Sequence, residues 1–270
     1  MRTQWIWINL TIAAIGIGGL VEQASAEDKK PKFKLNVGGV DQPGGSIKGI
    51  VKFAGKQLRQ KKNDVGADAF CSKAHKDQPL LKETYVWGKN NTLQNVFVYV
   101  SKGLGGKKFD PPAKKAVVDQ FGCAYLPHVQ GIMVGQELEI RSSDATLHNV
   151  KVVAKKNRSS NNGMPGGSKP ISKKFSKPEM PVKLQCDVHN WMIAHLHVME
   201  HPFFAVTQDD GTFEIKGLPD GKYEVAVWHE FKKFGPDKES VSVELKDGGT
   251  AQVKFMYSPK KKKKKKKKKK

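Results

Sequence analysis

The sequence predicts an all-β chain, and three observations carry that reading. Apolar and polar residues alternate over short runs through most of the 270 residues, as in strands with one buried face. Asp210-Gly211, Asp220-Gly221 and Asp247-Gly248 punctuate the last third as tight-turn signals. Only Asp64 to His75 reads as a helix, and a short one.

Residues 1–26 read as a secretory signal, with Arg2 at the start, an apolar run from Trp5 to Val21, and the small-residue site Ala24-Ser25-Ala26 before Glu27. The run has 17 residues and contains Asn9. That falls short of the roughly 20 apolar residues that span a bilayer comfortably. A periplasmic or secreted protein is therefore expected. A linker, 27–44, leads to an N-terminal β segment over 45–115. There Ile47, Val51 and Phe53 alternate with Lys48 and Lys52, and Val96, Val98 and Val100 share a face. Leu138 and Ile140 then alternate with Glu137, Glu139 and Arg141, and Val150 and Val152 flank Lys151. Residues 155–181, rich in Gly, Ser, Asn and Pro, read as a long loop holding one short strand near Ile171 to Phe175. Tyr223, Val225 and Val227, then Val241, Val243 and Leu245, then Val253 and Phe255 supply the closing strands. About 230 residues between the two ends suffice for one large or two small β domains.

The formal charge is +22, and the unbroken run Lys260–Lys270 accounts for half of it. Adjacent like charges repel and bury nothing, so a disordered tail is expected over 259–270. Such a tail is drawn to an anionic membrane or cell-wall surface, or to an acidic partner protein. Nucleic acid is disfavoured as a partner, because no aromatic residue interleaves the lysines and no nucleic-acid module accompanies them.

Residues 186–192 read CDVHNWM and place Cys186, His189 and Met192 within seven positions; His148 lies upstream in TLHNV. A soft thiolate, two imidazoles and a weak axial thioether are the ligand list of a mononuclear blue-copper site. Strand parity agrees, since Val182, Leu184 and Cys186 share a face while Lys183 and Gln185 point away. With all four positions filled by protein, no coordination site is left for a substrate. No nucleophile motif, phosphate-cradling loop or dinucleotide fingerprint is present either. The expectation is a redox carrier and not an enzyme. Two of the three cysteines remain, Cys71 and Cys123, with His75 and His128 close behind them. A disulfide, a Cys2His2 zinc site and two unlinked thiols all stand as readings in an oxidising compartment.

At LHNV and CDVHNWM, over roughly 116–202, the sequence resembles the cupredoxin family, most closely its plastocyanin-like and amicyanin-like members. The resemblance implies a Greek-key β-sandwich and one type 1 copper on His148, Cys186, His189 and Met192. It further implies that the Asn149 side chain ties the two ligand-bearing segments together. By the same resemblance the protein is a one-electron carrier whose His189 opens onto an apolar surface patch, with Trp191 either in that patch or packing the loop. Its redox partner would be acidic. Two departures stand out. Gln185 precedes the cysteine where an aromatic or Thr is usual in this family, and IAHLHVMEH is rich in histidine. His195 and His197 share a face with Met199, giving either an accessory metal site or solvent-facing imidazoles. Over 203–258, AVTQDDGTFEIKGLPDGKYEVAVWHE resembles carboxypeptidase-regulatory or prealbumin-like β-sandwich modules. The opening strand of such a module matches GSIKGIVKFAG at 45–55. Either one sandwich is built from 45–102 and 203–257 with the copper domain inserted, or the early strands complete the copper domain. A copper carrier or store, and a metal-free adhesive β protein acting through its lysine tail, are the rival functions.

Overall fold

The computed structural model describes residues 43–260 and is all-β. The signal and most of the linker, 1–42, and the lysines 261–270 lie outside the described residues. The first strands are β1 (Gly45–Phe53), β2 (Trp87–Gly88), β3 (Thr92–Leu93) and β4 (Phe97–Lys102), with helix α1 (Ala69–Ala74) between β1 and β2. A middle block holds β5 (Ala116–Phe121), β6 (Ala124–Leu126), β7 (Val129–Met133), β8 (Glu137–Ser142) and β9 (His148–Val153). It continues with β10 (Ser160–Met164), β11 (Ile171–Lys174), β12 (Glu179–Gln185) and β13 (Ile193–Met199). The last block is β14 (Phe204–Val206), β15 (Thr212–Leu218), β16 (Gly221–Trp228), β17 (Phe234–Pro236), β18 (Ser240–Leu245) and β19 (Thr250–Pro259).

Two sandwiches result. β5–β13 form sheets ordered β10-β9-β12-β13-β7 and β11-β8-β5-β6. β1–β4 pair instead with β14–β19, in sheets ordered β17-β19-β1-β3-β2, with β15 also on β1, and β14-β4-β16-β18. The two ends of the described chain meet in the outer sandwich, where β1 and β19 run parallel in register from Ser46↔Thr250 to Phe53↔Tyr257. Alternation explains the pairing. Ile47, Val51 and Phe53 enter a core with Val98, Val100, Phe203, Ile215, Val225 and Phe255, while Lys48 and Lys52 stay outside it. Each such side chain contributes about 1.5–3 kcal/mol when fully buried.

Local expectations were corrected in two places. The helix is confined to Ala69–Ala74, started by Asp68, whose carboxylate accepts the Cys71 N–H at 2.8 Å. The stretch 155–181 holds the short strand expected near Ile171 to Phe175, which is β11 paired with β8, and also an unexpected one, β10, paired with β9; both lie at sheet edges. An edge strand keeps one side in solvent and tolerates polar residues, which hides β10 from an alternation count.

The sandwiches share an apolar seam. Val129, Met133 and Met199 of the inner sandwich meet Phe97, Phe204 and Val206 of the outer. At Gly131 an added Cβ would lie 2.4 Å from the Phe204 ring and 2.8 Å from that of Phe97, so only glycine permits the approach. His197, directly opposite Gly131 in the parallel β7–β13 pair, lies fully buried and stacks on Phe97 at 4.1 Å. Neither His195 nor His197 faces solvent, at 9% and 0% exposure. Their face of β13 looks into the seam, while Ala194, Leu196 and Val198 fill the inner core.

Replacing Gly131 by Val is expected to lower stability by about 1–3 kcal/mol through overpacking, read as a reduced urea midpoint with an unchanged slope. Burial holds the His197 imidazole well below its ordinary pKa, with the His195 charge adding to the effect. Burial also holds His201 and His229 at about 4. These groups stay neutral in the fold while the unfolded chain takes up protons below 6.5. Stability is therefore lost as pH falls from 6.5 toward 4. A loss on the order of 2 kcal/mol each for His201 and His229 is expected near pH 4.5, and unfolding curves at pH 7 and about pH 4.5 measure it.

Candidate metal centre

Cys186 continues the inward face of β12, and the loop after it folds back at once. Met192 N–H donates to His189 O at 2.9 Å, and Cys186 N–H donates to Met192 O at 3.1 Å. The loop therefore closes on itself and leads directly into β13. His148 opens β9, the neighbour of β12, in a register that pairs Gln185 with Lys151. Extending that register sets His148 and Asn149 beside the loop.

The Asn149 side chain fastens the two segments. Its Oδ1 accepts from Asp187 N–H at 2.6 Å and from Val188 N–H at 3.2 Å, and the Cys186 thiol, 3.2 Å away, donates to it. Its Nδ2 donates to Asn161 Oδ1 at 2.6 Å, engaging β10. The sulfur also accepts backbone N–H groups of His189 at 3.3 Å and Asn149 at 3.5 Å. Gln185 turns outward and donates to Asp187 Oδ1 at 3.1 Å, so it does not shape the sulfur's surroundings directly.

The Cys186, His148 and His189 donor atoms lie within 4.8 Å of one another. The two Nδ1 atoms are 2.9 Å apart, and Sγ is 4.0 Å from His189 Nδ1. A first-row ion bound at about 2.0–2.1 Å from nitrogen and about 2.3 Å from sulfur bridges gaps of up to about 4 Å between such donors. The spacing and the donor chemistry fit a soft or borderline ion. Met192 is buried in the same core as Cys186. All four are essentially closed to solvent: His148 0%, Met192 1%, Cys186 2% and His189 2% exposed.

Each imidazole is anchored through its far nitrogen. His148 Nε2 meets Asp144 Oδ2 at 2.8 Å, and His189 Nε2 meets Asp68 Oδ2 at 3.2 Å. This is the carboxylate–histidine arrangement that orients metal-binding rings with Nδ1 toward the ion. Burial opposes charge on His148, but Asp144 and Cys186 outweigh it and raise its pKa to about 9. Burial and the His148 charge depress His189 against the pull of Asp68. Burial raises the Cys186 pKa, yet the bonds from His148 and from the Asn149, His189 and Val188 backbone lower it overall.

Asp144 also accepts the N–H groups of Gly122 and Cys123, each at 2.7 Å. These form a two-residue hairpin between β5 and β6, with φ of +60° and +57°. Cys123 is disulfide-bonded to Cys71 of α1, which brings Asp68 onto His189. The Cys2His2 zinc alternative does not form: His75 Nε2 bonds Gly122 O at 2.8 Å, and His128 Nε2 meets Glu230 at 2.5 Å. His189 does not open onto a surface patch. Asp68 and the Cys71 sulfur, 4.0 Å from His189 Nε2, lie against it. Trp191 packs the loop, its ring 4.9 Å from that of His189 and its N–H bonded to Cys123 O at 3.0 Å. Among the described residues, the exposed apolar ones adjoining the candidate ligands in sequence are Leu147 and Val188, at 48% and 50%. The sequence reading missed Asp68 and Asp144. Asp144 sits four residues before His148, a usable signal; Asp68 reaches its partner across 121 positions, held by the disulfide and by the Thr146 hydroxyl, which donates to its Oδ2 at 3.0 Å.

No family model matches the chain, and no curated protein matches it. Solved structures similar to it include the copper-containing nitrite reductase of Thermus scotoductus SA-01, at 21% identity over 36% of this chain with a TM-score of 0.30. They also include a purple cupredoxin from Nitrosopumilus maritimus, at 18% identity over 31% of this chain and 99% of that one, TM-score 0.27. A Cu(I) form of an amicyanin mutant matches at 19% identity over 37% of this chain and 97% of that one, TM-score 0.28. The chain spans 24% of the nitrite reductase's length. Among the described residues, no helix is long and apolar enough to cross a membrane.

Replacing Asn149 by Ala strips the acceptor from two backbone donors and the thiol. The metal-free protein is expected to lose about 2–4 kcal/mol, measured by urea unfolding at neutral pH. A loss below about 0.5 kcal/mol, the level of an ordinary surface substitution, would show that the carboxamide does not hold the two segments together.

Proposed function

We propose that the protein is an exported mononuclear type 1 copper protein that carries single electrons and has no catalytic activity of its own. The observation behind this reading is the convergence of a buried thiol and two buried imidazoles within 4.8 Å, with a buried methionine closing the same loop. His148, Cys186 and His189 would hold copper through two imidazoles and a thiolate, with the Met192 thioether as a weaker donor. Bound copper supplies a Cu(I)/Cu(II) couple. The chain's own part is to hold the donors still, exclude water and neutralise charge. Asp144 and Asp68 keep both rings in place, and the Asn149 carboxamide holds the sulfur. Little rearrangement between oxidation states is what rapid electron transfer requires.

Burial of all four side chains, with Asp68 and the Cys71–Cys123 bridge over His189, favours permanent retention over copper delivery. A donor protein would be better served by an accessible ligand edge. The basic charge, +22 overall, supports an acidic redox partner and an association weakened by salt, and the lysine run supports attachment to an anionic envelope surface. Leu147 and Val188, exposed beside the ligands, would form the apolar part of the docking face.

Adding Cu(II) to the metal-free protein is expected to produce an intense blue thiolate-to-copper band at one equivalent. Cys186→Ser should abolish that band while leaving the fold intact by circular dichroism. Wild-type protein that stays colourless with one equivalent of Cu(II) would refute the reading. Rapid loss of the colour to a chelator would favour delivery over electron carriage.

A further inference from the structure

A second cluster of metal-binding side chains lies where the two sandwiches meet. His128 follows β6, His195 lies in β13, and Glu230 follows β16 of the outer sandwich. One carboxylate oxygen of Glu230 is 2.5 Å from His128 Nε2, and the other is 3.0 Å from His195 Nε2. The three donors lie within 4.8 Å of one another, on the face of β13 opposite the core that holds Met192. His128 and His195 are 7% and 9% exposed, and the Glu230 side chain is 15% exposed.

The protons of His128 make this arrangement informative. Its Nε2 faces Glu230, while its Nδ1 lies 3.6 Å from Glu83 Oε2 without a hydrogen bond. A neutral imidazole carries one N–H, so one of its two nitrogens would turn a lone pair toward a carboxylate. Either a second proton or a cation on the Glu230 side removes that conflict. His195 also directs Nε2 at the same carboxylate. With a cation there, both Nε2 atoms and one carboxylate group become its ligands, and the His128 Nδ1–H is free to point at Glu83. Two imidazoles and a carboxylate suit a borderline divalent ion and leave a tetrahedral ion one position for water.

We propose that His128, His195 and Glu230 form a second metal site, for a divalent first-row ion of the Zn(II) type, that clamps the outer sandwich to the inner one. This is not the accessory site expected from His195, His197 and Met199. His197 is stacked against Phe97 and lies 4.4 Å, ring to ring, from Trp228, and Met199 is in the apolar seam. The proposal stands independently of the copper reading, since no donor is shared.

Co(II) titration of the full-length, demetallated protein tests it, because the two sites differ in sulfur. The Cys186→Ser variant should bind one equivalent of Co(II) with visible ligand-field bands and no thiolate charge-transfer band. Adding Glu230→Gln, which keeps the side chain's size but replaces one of its two acceptor oxygens with an NH2 group, should remove that equivalent, and His195→Gln should do the same. Zn(II) should displace the Co(II) and raise the unfolding temperature of Cys186→Ser, without raising that of Cys186→Ser/Glu230→Gln. Equal Co(II) binding with and without Glu230→Gln, or none in either, would overturn the proposal and leave a protonated ion-pair network at the junction. If both variants with the second substitution unfold, dialysis of Cys186→Ser alone against Zn(II) decides: less than half an equivalent retained overturns the site.

Discussion

Two imidazoles and a thiol can be buried in a β core only if their protons and lone pairs find partners, and this constraint organises the rest of the chain. An unsatisfied buried polar group costs about 1–3 kcal/mol, so an unsupported trio would consume much of a domain's net stability, which is about 5–15 kcal/mol. The partners come from far apart. Asn149 supplies the acceptor for the sulfur loop, Asp144 supplies the far side of His148, and Asp68 supplies the far side of His189. Asp68 lies between β1 and β2, in a segment that belongs to the outer sandwich by sequence and to the candidate metal centre by contact. The Cys71–Cys123 bridge, with a sequence separation of 52, holds it there. On a chain-entropy estimate, a loop of this length is worth about 4 kcal/mol.

The same economy operates at the seam between sandwiches. β7 and β13 are covered on both faces: one side builds the inner core, and the other presents Val129, Gly131, His195, His197 and Met199 to the outer sandwich. A strand buried twice loses the polar alternation of a surface strand, and here the alternation is between two kinds of interior. Histidine serves as a flat neutral ring at position 197, where it stacks on Phe97, and as a polar ligand to a carboxylate at position 195. Only Leu196 lies between the two, and the difference lies in what the outer sandwich places opposite each one.

How much of this could be read from the sequence follows from the range of each interaction. The candidate metal donors were legible as a cluster because three of the four fall in seven residues and the parity of Val182, Leu184 and Cys186 points the thiol inward. All-β character was legible because alternation is local. The short strand near Ile171 to Phe175 was legible and is β11, but β10 was not, since an edge strand reading SNNGM carries little apolar signal. The burial of His189 could not be read from CDVHNWM: its cover is a helix turn more than a hundred residues upstream, placed by a disulfide that had two competing readings in the sequence. Glu230 was likewise invisible as a partner of His128 and His195, because nothing near it in sequence resembles a ligand motif. Pairing across the two sandwiches alone brings it there.

The cover over His189 bears on how electrons would pass, on the proposed reading. A small carrier commonly exposes one ligand edge, which shortens the path to any partner and also admits water. Here Asp68 and Cys71 occupy that position, with a carboxylate hydrogen-bonded to the ring and a sulfur 4.0 Å from the same nitrogen. A partner would then meet either the outer surface of the 68–75 segment, or the flank where Leu147 and Val188 remain exposed beside His148 and His189. The second route needs no displacement of the disulfide-linked helix and begins one residue from each histidine ligand. It also presents apolar surface in an otherwise basic chain, so that charge would govern the encounter and these side chains the final fit. On this reading the segment that seals the ligand edge would narrow the choice of partner as well as exclude water.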